Sequence, residues 1–145
     1  MSHWFHILAG TGRDARLLHA ARLAEKAWLD GDRVALYCDD ATTAEALDAM
    51  LWSFRPESFL PHERIRTSDQ QPDTRVTVLE CDPAPGEWDT LIVVATTLPG
   101  AADRFARLAL IASNEDSSLQ RARAQYRQLR ELGITPQVHD FRSPG

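Results

Sequence analysis

The chain has 145 residues, 43% of them hydrophobic, and carries a formal charge of −5 from 16 Lys and Arg against 21 Asp and Glu. That length corresponds to one domain, residues 1–145, with a sizeable core, and the hydrophobic share argues against disorder. An acidic chain is not drawn onto a polyanion, so strong direct nucleic-acid binding is not expected.

Targeting and redox features indicate a cytoplasmic protein. The first residues lack the basic segment and apolar run of a signal peptide, and no stretch of about 18 apolar residues predicts a membrane span. Cys38 and Cys81 lie far apart and outside any CxxC motif. We therefore expect two buried thiols in a reducing compartment rather than a disulfide or a zinc site.

Strands and helices alternate in the first half of the chain. Residues 4–9 form a short apolar run that Gly10 and Gly12 interrupt, and residues 14–30 then carry apolar side chains at helical spacing. Residues 34–38 predict a second strand, and residues 39–43 can cap a second helix. Residues 52–75 hold three prolines and three large aromatic side chains, which predict an ordered aromatic loop followed by a mobile polar loop around residues 67–75.

The second half continues the alternation. Its predicted elements are strands at 76–79, 91–95 and 108–112, a short helical turn within 98–107, a helix at 117–132 closed by Gly133, and an edge strand at 135–139. Because alternating strands and helices pair in parallel through crossover connections, we predict an α/β fold. It is a single-domain, three-layer Rossmann-like sandwich with a mostly parallel central sheet.

A GxGxxA string follows the first strand and opens the first helix, at Gly10, Gly12 and Ala15. This context suits a dinucleotide site, in which glycines let the backbone approach a pyrophosphate at a helix N-terminus, and Asp39 follows the second strand as a ribose acceptor would. Asp39 lies nearer thirty than twenty residues after Gly10, and the string also fits a turn that only needs positive φ. A Rossmann-type nucleotide-binding enzyme is therefore an alternative function.

Other catalytic and metal motifs are missing from the sequence. No GxxxxGK[ST], GxSxG or HExxH string occurs. His3 and His6 flank the first strand at an odd offset that puts them on opposite faces, so they do not predict a metal site. We expect no metal and no cofactor.

An aromatic block, residues 47–62, is the most unusual part of the chain. It combines Trp52, Phe59 and a third large aromatic residue with prolines that include Pro61 and stiffen the segment. Trp and Phe dominate interface energetics, so the block suits a docking surface for a protein partner, although it also fits a loop folded onto its own core.

The helix at residues 117–132 carries four Arg against a single acid, Glu131. Arg123 and Arg127 belong to an i, i+4, i+7 stripe beside a buried face formed by Leu119, Ala122, Tyr126 and Leu129. An Arg fork can bind a carboxylate through two hydrogen bonds, so an acidic peptide fits this stripe. A solvated helix face is the simpler interpretation of the same pattern.

The block at residues 47–62, with its LxxxLW…PxESFxPH pattern, resembles the signature region of the chi subunit family of bacterial DNA polymerase III. The segment from Glu115 through Arg123, Tyr126 and Arg127 to Gly133 is similar to that family's C-terminal helix, and residues 28–34 match more loosely. The likeness spans roughly residues 3–138.

The resemblance implies a Rossmann-like fold without nucleotide chemistry and a non-catalytic role that links the clamp loader to single-stranded DNA-binding protein. By position, Trp52, Phe59 and Pro61 match the surface that binds the psi subunit. Arg123 and Tyr126, with Arg127, match the surface that binds the acidic C-terminal tail of the single-stranded DNA-binding protein. The resemblance also implies a helicase as a partner of some members, so Trp52 and Phe59 can serve a different chain.

One position departs from the family pattern. Leu119 stands where a basic residue contributes in other members, which predicts a lower affinity for the tail. Arg121 or Arg130 can compensate for that missing charge.

Overall fold

A parallel β-sheet forms the centre of the molecule in the computed structural model, which describes residues 2–55, 60–67, 73–83 and 86–142. The strands are β1 (Ser2–Ile7), β2 (Val34–Tyr37), β3 (His62–Ile65), β4 (Val76–Leu79), β5 (Thr90–Val93), β6 (Arg107–Ala112) and β7 (Gln137–Asp140). They lie in the order β3-β4-β2-β5-β6-β1-β7, and every pair of neighbours is parallel. The expected mostly parallel sheet is thus parallel throughout the described residues.

Helices cover both faces of this sheet. They are α1 (Gly12–Leu29), α2 (Ala41–Ser53) and α3 (Asp116–Glu131), with a short 3-10 helix at Ala102–Arg104. The helices α1 and α2 share one apolar cluster with the sheet, and α3 shares the other. This confirms the predicted three-layer Rossmann-like sandwich.

Burial patterns explain why the strongest strand predictions are confirmed. All four residues of β2, β4 and β5 are buried, which matches their mainly apolar composition and their positions inside the sheet. In contrast β7 lies at an edge and is mostly exposed, as predicted for the last strand. Its side chains border solvent on both sides of the sheet.

Capping residues define the helix ends that the sequence suggested. Asp40 caps α2, because its Oδ1 accepts a 2.6 Å hydrogen bond from the Thr43 backbone N–H. Gly133 follows α3 with φ +86°, its N–H bonds the carbonyl of Arg130, and the next N–H bonds the carbonyl of Leu129. This is a Schellman closure, which favours glycine at that position.

The strand β3 was missed in the sequence, where residues 52–75 were predicted to be loop. Its two central residues, Glu63 and Arg64, are polar, and it pairs only with β4 at the edge of the sheet. A short edge strand of this composition lacks the apolar alternation that predicts strands. Residues 68–72 of the loop predicted to be mobile lie outside the described residues.

Candidate partner-binding surfaces

Trp52 lies in the last turn of α2 and is 54% exposed. Its indole ring packs against the imidazole of His62 at the start of β3, with 4.4 Å between the ring centroids. A large aromatic side chain that is half exposed yet supported on one face suits a docking anchor. We call this region the Trp52 surface: Trp52, Pro61 and His62.

The buried side chain of His62 supports one face of the Trp52 ring. Its side chain is completely buried, its Nδ1 lies 2.8 Å from the carbonyl oxygen of Leu60, and its Nε2 lies 3.1 Å from Oδ1 of Asp48. Asp48 precedes Trp52 by one helical turn, so both reach His62 from the same side of α2. No role was predicted for His62 or Asp48 from the sequence, although His62 ends the PxESFxPH string.

Pro61 and Phe59 were predicted to share this surface with Trp52, and the structure describes only the first of them. Pro61 is partly buried and directly precedes β3, which brings it next to His62 and into the Trp52 surface. Phe59 lies outside the described residues. Of the three predicted residues, Trp52 and Pro61 therefore both lie beside His62.

The second predicted surface lies on α3. Arg123 and Arg127 are exposed and one helical turn apart, and Tyr126 is half-buried beside them. The Tyr126 ring packs on Phe5 of β1, with 5.8 Å between ring centroids. We call Arg123, Tyr126 and Arg127 the α3 surface, and the three predicted residues do lie together.

Apolar side chains border the α3 surface. Leu132 and Val138 are 52% and 50% exposed, and Val138 pairs in register with Phe5 of β1. Directly paired residues share one face of a sheet, so Val138 lies on the same side as Tyr126. The surface therefore combines Arg side chains with apolar groups, as an acidic peptide with an apolar end requires.

Leu119 belongs to the core and not to this surface. It is 7% exposed and packs in the apolar cluster between α3 and the sheet. The buried face predicted from helical periodicity is confirmed for Leu119, Ala122 and Leu129, whereas Tyr126 is half-buried. A basic side chain at this position would have to extend out of the core to reach a ligand.

Contacts elsewhere fix the position of α3. Gln125 is buried, and its Nε2 donates a 3.0 Å hydrogen bond to the carbonyl oxygen of Ala95, just after β5. Because this bond joins the inner side of α3 to the end of a central strand, it limits rotation of the helix. The Arg residues are consequently held on the outer side.

The Gly10–Gly12 turn occupies the place where open parallel sheets usually bind ligands. Neighbouring strands β1 and β6 lead into helices on opposite faces, and such switch points form the ligand crevice of Rossmann-like folds. Here the Gly12 N–H donates to both carboxylate oxygens of Glu115, at 3.2 Å each. The anion at the start of α1 is therefore supplied by the chain itself.

Arg16 and Ser113 complete this internal contact. The Arg16 guanidinium donates to Glu115 Oε1 at 3.0 Å and to Ser113 Oγ at 2.6 Å, and the Ser113 hydroxyl also donates to Glu115. Hydrogen bonding from Ser113, with further contributions from Gly12 and Arg16, lowers the pKa of the Glu115 carboxyl. The carboxylate thus remains charged and fills the position that a pyrophosphate would take, which disfavours nucleotide binding there.

The remaining residues of the nucleotide alternative have structural roles in this geometry. Gly12 has φ +86°, and a Cβ on Gly10 would lie 3.3 Å from the Cβ of Ala15, so both glycines are explained by the turn. Asp39 accepts hydrogen bonds from the backbone N–H and the hydroxyl of Thr96. A cavity of about 510 Å³ lies between α1 and the strands β1, β5, β6 and β7, and none of Gly10, Gly12 and Asp39 lines it.

No group of three or more His, Cys, Asp or Glu among the described residues is arranged to hold a metal ion. Neither Cys38 nor Cys81 forms a disulfide. Cys38 is buried as expected, and burial raises its pKa to about 12, whereas Cys81 is only partly buried. None of the helices in the described ranges combines the length and apolar character that a membrane crossing requires.

Sequence comparisons agree on one family. The family described as "DNA polymerase III chi subunit, HolC" matches residues 1–137. The chain is 36% identical over 135 residues to the DNA polymerase III subunit chi of Pseudomonas aeruginosa, covering 93% of each chain. It is 31% identical over 112 residues to that of Escherichia coli K12, covering 77% of this chain and 76% of the relative. The chain therefore belongs to the DNA polymerase III chi subunit family.

Proposed function

We propose that this protein is a non-catalytic accessory subunit of DNA polymerase III holoenzyme, associated with the clamp loader. In this proposal the α3 surface binds the acidic C-terminal tail of single-stranded DNA-binding protein. The Trp52 surface, together with Phe59, binds the psi subunit or an equivalent partner such as a helicase. One chain would then connect the two proteins during replication.

The separation of the two surfaces is the observation that carries the proposal. The Trp52 surface lies at the end of α2 beside the edge strand β3, and the α3 surface lies on the opposite face towards the edge strand β7. A bridging protein needs two surfaces that do not overlap, because one partner must not exclude the other. The sheet provides that separation.

The chemistry of the α3 surface favours a terminal acidic peptide. Arg123 and Arg127 offer guanidinium donors that can hold carboxylates through paired hydrogen bonds, and Tyr126 with Val138 offers apolar contact. The chain as a whole carries a formal charge of −5, so its remaining surface repels a nucleic-acid backbone more than a short peptide. The acidic tail is therefore favoured over DNA as the ligand.

Calorimetric titration with a peptide copying the C-terminal tail tests this assignment. We expect the Arg123→Ala, Arg127→Ala double variant to weaken binding by about tenfold or more, because charge-assisted hydrogen bonds to carboxylates are lost. A matched control, Arg22→Ala with Arg104→Ala, removes two exposed Arg residues that lie outside α3 and should bind normally. A peptide lacking its terminal residue should also bind weakly. Equal affinity of the two double variants would remove the α3 assignment.

A further inference from the structure

A third arginine of α3, Arg130, lies beside the α3 surface. It follows Tyr126 by four residues and Arg127 by three, and these offsets put side chains on the same side of a helix. Arg130 is exposed, and none of the Arg residues of α3 forms an ion pair within the described part of the chain. Its guanidinium is therefore available to an acidic ligand of the α3 surface.

The remaining arginine of α3, Arg121, lies on the other flank of the helix. It precedes Gln125 by one turn, and Gln125 is the buried residue that bonds the backbone just after β5. Tyr126, in contrast, packs on Phe5 of β1, which lies two strands from β5 in the direction of the edge strand β7. Of the two Arg residues outside the α3 surface, only Arg130 therefore faces the same ligand.

The apolar contact of this surface lies level with the middle of the row of Arg residues. Tyr126 packs on Phe5 of β1, and Val138 of β7 pairs with Phe5 in register and is 50% exposed. Along the axis of α3, Tyr126 lies between Arg123 and Arg130. An apolar side chain held by Tyr126 and Val138 therefore has an Arg on each side of it along the helix.

The two ends of this row differ in charge. The helix α3 runs from the carboxyl end of β6 back to the amino end of β7, so Asp140 at the carboxyl end of β7 lies towards Arg123 and away from Arg130. Because alternate residues of a strand share a face, Asp140 is on the α3 side of the sheet, and its carboxylate bonds the guanidinium of Arg142. The Arg123 end therefore combines one cation with a balanced ion pair, whereas the other end offers Arg127 and Arg130 together.

The spacing of the Arg residues matches a short extended segment. At about 1.5 Å per residue, Arg127 and Arg130 are about 4.5 Å apart along the helix, and Arg123 lies about 6 Å further back. Extended residues each span about 3.3–3.6 Å, so the full row covers about three of them. The last few residues of a peptide therefore reach all three guanidinium groups.

We propose that the acidic tail binds α3 in one orientation, with Arg130 as a third cation of its site. The terminal apolar side chain packs on Tyr126 and Val138, and the terminal carboxylate meets Arg123. The acidic residues before it extend over Arg127 and Arg130. A single negative charge thus faces the end with one unpaired cation, and a run of negative charges faces the end with two. This inference rests on the proposed function, because it gives an orientation to the ligand of the α3 surface.

Calorimetric titration with three peptides tests the orientation. The first copies the tail, the second is the same peptide with an amidated C-terminus, and the third replaces its acidic side chains with the matching amides. They are titrated into wild type, Arg123→Ala, Arg130→Ala and Arg121→Ala, the last being a matched control from the other flank of α3. Thermal unfolding of each variant verifies that it is folded.

Each change in the peptide should lose its effect in the variant that lacks the matching Arg. We expect amidation to weaken binding by about fivefold or more in wild type and in Arg130→Ala, but by less than about twofold in Arg123→Ala. Replacing the acidic side chains should weaken binding by a factor about threefold smaller in Arg130→Ala than in Arg123→Ala. The Arg121→Ala variant should behave as wild type with all three peptides.

The results separate this inference from the proposed function. If wild type binds the tail but Arg130→Ala, and not Arg123→Ala, removes the effect of amidation, the orientation is wrong while the proposed function stands. If Arg130→Ala binds all three peptides as wild type does, or if Arg121→Ala weakens binding as much, Arg130 is not a distinct part of the site. If wild type does not bind the tail, the proposed function fails and this inference fails with it.

Discussion

Leu119 shows how the environment of one residue decides the meaning of a family difference. Its side chain is 7% exposed within the core cluster that joins α3 to the sheet. We predict that Leu119→Ala lowers the free energy of unfolding by about 2–5 kcal/mol, because a buried leucine leaves a cavity. Urea denaturation measures this change, with the exposed Leu132→Ala as a control expected to change stability by about 0.5 kcal/mol or less. Similar losses in both variants would contradict the burial of Leu119.

His6 gives the fold a predicted dependence on pH. Burial, followed by the nearby His19, His139 and Lys26, lowers the pKa of His6 from 6.5 to about 4. Its Nδ1 lies 2.7 Å from Nε2 of His19, whose pKa burial also lowers. Between these pH values the unfolded chain binds a proton that the folded chain does not. The contribution of neutral His6 to the free energy of unfolding is therefore complete above pH 6.5 and is lost as the pH falls towards 4.

Thermal unfolding of wild type and His6→Gln across this pH range tests the prediction. We expect the melting temperature of wild type to fall more steeply on acidification, because the variant lacks the group that must take up a proton on unfolding. The variant need not match wild type in stability at neutral pH, since only the slopes are compared. Parallel curves would show that His6 does not titrate as described.

At the scale of elements, the local sequence pattern predicts best where burial is continuous. The apolar run of β5 was predicted and is buried, and so are Leu119, Ala122 and Leu129 of the predicted face of α3. The edge strand β3 was not predicted, because Glu63 and Arg64 at its centre carry no apolar signal. Pairing with β4, which no local pattern reveals, decides its conformation.

The candidate sites likewise contain residues that a local pattern predicts and contacts that only the tertiary fold creates. Trp52 and the Arg residues of α3 were identified because their residue types and spacing indicate partner binding. The Glu115–Gly12 contact joins residues 103 positions apart, so the GxGxxA string alone could not predict it. His62 was equally hidden, since its support of Trp52 depends on the packing of β3 under α2.

The end of α3 provides a test at this scale. Gly133 has φ +86°, and a Cβ there would meet no heavy atom within 4 Å, so the penalty of a side chain is purely conformational. We predict that Gly133→Ala costs about 1–2 kcal/mol of stability. Gly100 also has open space around it but lacks positive φ, so Gly100→Ala should be neutral or slightly stabilising. Chemical denaturation compares the two variants, and equal effects would contradict the conformational account.

At the scale of the whole molecule, the sheet separates two surfaces of different chemistry. One presents Trp52 and its supporting His62 beside β3, and the other presents Arg123 and Arg127 on the opposite face towards β7. The chain's own Glu115 carboxylate lies at the start of α1, where related folds bind ligands. The architecture therefore suits the connection of two proteins better than the binding of a nucleotide.

Simultaneous binding tests this account most directly. The measurement is a calorimetric titration of the tail peptide into the protein alone and into the protein saturated with psi. Because the two surfaces lie on opposite faces, we predict the same dissociation constant in both titrations, within about twofold, and no displacement of psi. A peptide that binds only the free protein, or that releases psi as it binds, would contradict the bridging role.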